Sequence, residues 1–228
     1  MSSDIIREQI ASYQANYLEH GDTPKGVHWN NVETQTLRFD RLLAHFPVRK
    51  KRFSLHDVGS GSCDLHKHLL AQNIAHDYVG TEIVPEMVAS SRCRYPAIKV
   101  FNRDLLSDPV ETCDVVMLSG AFNMPGSVSS KEWEEYALRM ISKMFETSRW
   151  GIAFNFLSAY RTFSAEELHY FDPKSIFDYC MKNLSRFVTL DHGYPLFEAT
   201  VTVHTREFMQ EQFAASAFDK YLERESVP

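Results

Sequence analysis

The chain has 228 residues, 44% of them hydrophobic and 24% charged, with a formal net charge of −6. That length and composition suit one large globular domain and exclude wholesale disorder. An acidic pI of about 5.9 leaves no broad basic face for nucleic acid.

No window approaches about 18 uninterrupted apolar residues, so no transmembrane span is expected. The polar start MSSDIIREQI lacks an apolar signal core. Cys63, Cys93, Cys113 and Cys180 contain no C-x-x-C pair, which reads as reduced structural thiols in a cytoplasmic enzyme without a metal site. The basic run Arg49 to Arg52 precedes an apolar strand and reads as a solvated loop.

Residues 4 to 20 read as an amphipathic helix with Ile6, Ile10, Tyr13 and Tyr17 on one face. After a break at His20 to Pro24, a second helix is expected over 31 to 46, with Leu37, Leu42 and Leu43 inward. Strands and helices then alternate: strand 53–58, helix 65–73, strand 78–83, helix 85–94, strand 98–101, strand 115–118, helix 131–146, strand 151–157, helix 175–183, and two last strands at 187–190 and 197–204. Residues 206 to 224 read as a charged helical tail. The alternation predicts a doubly wound, mostly parallel α/β sheet. Only Asp191 to Leu196 join the last two strands, too short for a crossover, so the seventh runs antiparallel to the sixth. The expected organisation is a single domain over 1–228: a helical cap at 1–46, a core at 53–205 and a C-terminal helix at 206–228.

The first strand runs into Asp57-Val58-Gly59-Ser60-Gly61-Ser62-Cys63, a strand-to-helix turn whose glycines let backbone approach a ligand closely. Glu82 follows Asp57 by 25 residues at the end of the second strand, where an acid accepts hydrogen bonds from ribose hydroxyls. Asp104 after the third strand can reach the exocyclic amine of an adenine, and it also reads as a turn-capping aspartate. Ser119-Gly120-Ala121-Phe122-Asn123 follows the fourth strand. All four segments fall at carboxyl ends of parallel strands, where open α/β sheets bind ligands.

At these residues the chain resembles the Rossmann-like (class I) S-adenosylmethionine-dependent methyltransferase family, over about residues 53 to 205. The resemblance implies a seven-stranded sheet with an antiparallel last strand and S-adenosylmethionine as cofactor. It also implies roles: Asp57, Gly59 and Gly61 around the methionine part, Glu82 on the ribose, Ile83 and Met87 against the adenine, Asp104 and Leu105 at its edge, and Ser119 with Gly120 beneath the sulfonium. His20 to Pro24, Val27, Trp29, Gln35 and Arg38, with Gly151 to Asn155 and Leu184 to Phe187, are similar to a little-characterised bacterial subgroup that looks like small-molecule enzymes. The sequence departs from the family at Cys63, where a third glycine is usual.

Arg38 suits the methionine carboxylate, or is a solvated helix arginine. Trp29 is placed to lid the cofactor, or packs the cap onto the sheet. The expected reaction is methyl transfer to an oxygen or nitrogen of a small metabolite, chiefly by alignment, which supplies roughly 7 to 11 kcal/mol in well-oriented cases. His20, His28, Tyr17 and Tyr194 are the candidates for a general base; each reads equally as a core or surface side chain. His66, His68 and His76 read as surface positions. Three rival readings are a nucleotide-dependent oxidoreductase, which would want glycine where Asp64 stands, a non-catalytic nucleotide-binding subunit, and a methyltransferase for nucleic acid or protein, against which the acidic charge and the Leu118 to Asn123 segment speak. No nucleic acid or membrane partner is expected, and a homodimer is left open.

Overall fold

The strands are β1 Phe53–Val58, β2 His76–Glu82, β3 Lys99–Asn102, β4 Cys113–Leu118, β5 Ser148–Leu157, β6 Val188–Asp191 and β7 Glu198–His204. The helices are α1 Ser2–His20, α2 Val32–Leu43, α3 Asp64–Ala71, α4 Pro85–Arg94, α5 Ser130–Glu146, α6 Pro173–Asn183, α7 Arg206–Gln212 and the short α8 Asp219–Leu222. The structure is a computed structural model that describes residues 2–23, 25–27 and 31–222.

The seven strands form one sheet in the order β3-β2-β1-β4-β5-β7-β6. β1 through β5 pair in parallel, and β7 lies antiparallel between β5 and β6, as the short connection before it requires. The order reverses direction between β1 and β4. Chain leaving their carboxyl ends diverges there and opens a crevice.

Both faces of the sheet are covered, which explains the unbroken apolar run of β4. Val115 and Met117 pack on one side and Val116 and Leu118 on the other, and all four are fully buried. Leu42 and Leu43 of α2, Leu65 and Leu69 of α3, and Phe208 of α7 cover the first side. Trp133, Tyr136, Ile141 and Met144 of α5, Ile176 of α6 and Ile5 of α1 cover the second. Each large apolar side chain so buried contributes about 1.5–3 kcal/mol. The helix starts are fixed locally. Asn31 caps α2 by accepting the Thr34 N–H at 2.8 Å, and Ser129 caps α5 by accepting the Glu132 N–H at 3.4 Å while its hydroxyl donates to the Glu132 carboxylate.

Several expectations are corrected. In α1 the fully buried residues are Ile5, Gln9 and Tyr17, whereas Ile6, Ile10 and Tyr13 are half-buried; the helix straddles a cavity and has two contact lines. In α2 Phe39 is buried while Leu37 is only half-buried. The tail breaks at Phe213 into α7 and α8. Cys113 lies inside β4. His66 is buried, its Nδ1 bonded to His76 Nε2 at 2.8 Å and its ring against Tyr78 and Tyr95. Three aromatic neighbours distant in sequence enclose it, which helical spacing cannot reveal.

Candidate active site

The loop from β1 into α3 bends back beneath the end of β2. Gly59 and Gly61 hold φ of +68° and +50°, a region other residues enter at a cost of about 1–2 kcal/mol. Cys63 is the exception: it occupies that region at φ +60° and ψ +36° as N-cap of α3. The sequence departure therefore falls where the backbone wants glycine. The amides of Gly59 and Ser60 donate to the Thr81 carbonyl at 2.8 and 3.1 Å, which pins the loop to β2.

A cavity of about 390 Å³ opens above this loop. Asp57, Gly59, Gly61, Glu82, Ile83, Met87, Asp104, Leu105, Ser119, Gly120 and Arg38 all lie on its wall. One crevice thus collects residues from the ends of four strands and from α2.

The three acids are held differently. The Asp57 carboxylate is buried and accepts the Tyr78 hydroxyl at 2.6 Å. Burial pushes its pKa up to about 7; the Tyr78 bond opposes this, while Glu82 and Asp64 add to it. The Glu82 carboxylate accepts three backbone amides, from Gly61 at 2.8 Å, Ile83 at 2.7 Å and Val84 at 2.9 Å. Burial raises its pKa and these bonds oppose the rise. A carboxylate offers about four acceptor positions, so three bonds leave room for one more donor. Asp104 caps its own turn, accepting the Leu106 N–H at 3.0 Å and the Ser107 hydroxyl at 2.7 Å, the turn-capping alternative of the sequence reading.

Arg38 is buried and forked onto Glu198 of β7, its Nε 2.9 and 2.8 Å from the two carboxylate oxygens. Three polar atoms on the cavity wall, Ser60 Oγ, Ser119 Oγ and Asn123 Oδ1, are buried with no hydrogen-bond partner among the described residues. Such atoms are costly unless a ligand or water completes them.

The base candidates lie elsewhere. Tyr17 donates to Asp22 at 2.7 Å and packs on Val84 and Met87, while Tyr194 bonds Thr200 at 2.9 Å. Neither they nor His20 is on the cavity wall. His28 and Trp29 lie outside the described residues. His169 pairs with Glu134 at 3.1 Å, and His192 with Ser158 at 2.8 Å.

The wall also includes residues the sequence reading assigned no role there: Gln9, Phe39, Arg103, Tyr136, Glu167 and Glu198. Glu198 had a signal, being an acid at the start of a strand rich in β-branched residues. Gln9 and Glu167 had none.

Two contacts dock α1 across the cavity. At one end Glu8 accepts from Ser127, with N–H at 2.9 Å and hydroxyl at 2.6 Å, and Gln9 donates to the Met124 carbonyl at 2.6 Å. At the other, Asp22 takes hydroxyls of Ser62 at 2.9 Å and Ser90 at 2.5 Å and pairs with Arg94.

No family model matches the chain. It is 31% identical over 153 residues, 66% of this chain and 92% of the relative, to Rv1506c, an inferred methyltransferase of Mycobacterium tuberculosis. Among solved structures it is similar to DhpI in a complex with SAM and HEP, at TM-score 0.62 and 14% identity over 87% of this chain and 96% of that one. It is also similar to the N-methyltransferase NodS of Bradyrhizobium japonicum WM9 in complex with S-adenosyl-L-homocysteine, at TM-score 0.56 and 11% identity over 86% and 97%. Both structures share the fold; the first relative is close enough in sequence to share the family. With its β3-β2-β1-β4-β5-β7-β6 sheet and the glycine loop under β2, the chain belongs to the Rossmann-like (class I) S-adenosylmethionine-dependent methyltransferases.

Proposed function

We propose that the protein is a single-domain cytoplasmic enzyme that binds S-adenosylmethionine in this cavity and methylates an oxygen or nitrogen of a small metabolite. The reading is carried by one observation. The glycine loop, Glu82, Asp104 and Ser119–Gly120, far apart in sequence, line a single 390 Å³ cavity whose wall holds buried polar atoms without a partner among the described residues, Ser60 Oγ, Ser119 Oγ and Asn123 Oδ1.

The residues present fit the cofactor. Gly59 and Gly61 would border its methionine part beside Asp57. The remaining acceptor position of Glu82 would take a ribose hydroxyl. Ile83 and Met87 would flank the adenine, Leu105 and the Asp104 turn would meet its edge, and Ser119 with Gly120 would lie under the sulfonium. When bound, the cofactor supplies an already electrophilic methyl group. The chain then has to orient the acceptor and exclude water. α1 would serve as the cover: Gln9 and Tyr13 reach the cavity from it. Burial and the nearby Glu82 charge raise the Tyr13 phenol, so it would act as a neutral hydrogen-bonding wall and not as a base. Trp29 remains a proposed part of the lid.

Formation of S-adenosylhomocysteine from methyl-labelled S-adenosylmethionine tests the reading, using fractionated metabolite extracts as acceptor. Label transferred to a small molecule supports it. Label found only in protein or nucleic acid would overturn the acceptor class.

A further inference from the structure

Three buried polar side chains meet at the edge of the cavity, two on its wall and one behind it. Arg38 of α2, Glu198 of β7 and Asn155 of β5 are 9%, 2% and 1% exposed. Arg38 forks onto the Glu198 carboxylate. Asn155 Nδ2 donates to Glu198 Oε2 at 2.9 Å, and Asn155 Oδ1 accepts the Gly120 N–H at 2.9 Å. Gly120 itself holds φ +77° and lines the cavity, whereas Asn155 does not.

Tying α2 to the sheet does not require this arrangement. Replacing a buried ion pair by apolar residues of similar volume is often neutral or stabilising. Nor does β5 need a polar residue on this face, since Ala153, two positions earlier on the same face, is a buried apolar side chain. What the site does require is an amide. Only a side chain with one donor and one acceptor satisfies a carboxylate on one side and a backbone N–H on the other.

The consequence lies in the Ser119–Gly120 peptide. A trans peptide is planar, so an N–H held toward Asn155 sends the Ser119 carbonyl the opposite way, and both residues of that peptide line the cavity. Each link polarises the next: the Glu198 charge draws on Asn155 Nδ2, Oδ1 becomes a stronger acceptor, and the carbonyl oxygen gains negative character.

We propose that Arg38, Glu198 and Asn155 are positioning residues that aim the Ser119 carbonyl at the sulfonium, so that the site favours S-adenosylmethionine over its neutral-sulfur product. This rests on the cofactor placement proposed above. Arg38 then acts through Glu198 and not as a ligand of the cofactor carboxylate.

The test is the ratio of affinities. Asn155→Leu keeps the branching at Cγ and can neither donate nor accept. By calorimetry it should weaken S-adenosylmethionine about tenfold, the scale of one lost hydrogen-bonded dipole, and S-adenosylhomocysteine less than about threefold. An equal loss for both, or no loss, overturns the proposal. The double variant Arg38→Met with Glu198→Gln keeps an acceptor for Asn155 but removes the charge that polarises it, and should weaken S-adenosylmethionine more than S-adenosylhomocysteine, in the same direction as Asn155→Leu. Equal loss of both ligands there would make Arg38 a direct carboxylate ligand and overturn the relay. The Gly120 amide proton resonance reads the first link without any ligand: it should move upfield in Asn155→Leu, and an unmoved resonance refutes the link. If the wild type binds neither compound, the cofactor reading fails, while this resonance still reports on the hydrogen bond.

Discussion

Removing the Glu82 carboxylate should cost both folding and cofactor affinity. Its two oxygens receive three backbone amides, from Gly61, Ile83 and Val84, at 2.7–2.9 Å. It thereby ties the glycine loop to the turn between β2 and α4. Hydrogen bonds to a charged group are worth roughly 1.5–3 kcal/mol each, and a buried orphaned donor costs about 1–3 kcal/mol. Water can reach Gly61 from the cavity, which discounts the sum. Glu82→Ala should therefore destabilise the unliganded protein by about 3 kcal/mol, or roughly 6–12 °C in melting temperature for a chain of this size. Glu82→Gln keeps an acceptor for Ile83 and Val84 but turns an NH₂ toward the Gly61 donor, and should lose about a third to a half as much. If the remaining acceptor position holds a ribose hydroxyl, affinity for S-adenosylhomocysteine should also fall at least about tenfold in either variant. Calorimetric melting followed by titration reads both quantities. An unchanged melting temperature in Glu82→Ala would refute the structural role, and unchanged affinity would refute contact with the cofactor.

Asp57 carries the pH dependence. Its pKa is raised to about 7 from roughly 3.9 in an unfolded chain, so between those values the folded state holds a proton that the unfolded state has lost. Stability of the unliganded protein should fall as pH rises through that window and level off above it; Asp57→Asn should flatten the slope in melting curves taken across it. Because an ionised Asp57 attracts a cationic cofactor, S-adenosylmethionine should bind more tightly as pH rises toward 7, and Asp57→Asn should abolish that trend. Asp22→Ala removes the contacts to Ser62, Ser90 and Arg94 and should speed amide exchange across residues 5–20 and the release of S-adenosylhomocysteine, measured by stopped flow. At Cys63, relief of the left-handed backbone offsets the loss of a buried side chain. Cys63→Gly should therefore shift stability by less than about 1 kcal/mol, while β-branched Cys63→Val should cost about 1–2 kcal/mol or more, read by thermal melting.

The sheet was legible because its strands are short apolar runs punctuated by glycine and acid, and a six-residue connection admits no crossover. Asp57, Glu82 and Asp104 were legible as candidates because each falls at or just beyond the carboxyl end of a parallel strand. Their hydrogen bonds were not: that Glu82 clasps three amides and Asp104 caps its own turn depends on loop geometry that spacing does not carry. Arg38 read as a free cation because its partner, Glu198, stands 160 residues away. The cavity wall from Gln9 and Glu167 is set by how α1 and the segment after β5 fold over the crevice, a tertiary matter without a local pattern. His66 escaped for the same reason, enclosed by Tyr78, Tyr95 and His76.

The central claim is that the cavity above the glycine loop is a site for S-adenosylmethionine. Isothermal titration of the full chain with S-adenosylmethionine and with S-adenosylhomocysteine, in the presence of a chelator, tests it most directly. The account predicts saturable one-to-one binding of both compounds, weakened in Glu82→Gln. No heat and no thermal shift at millimolar ligand would contradict it.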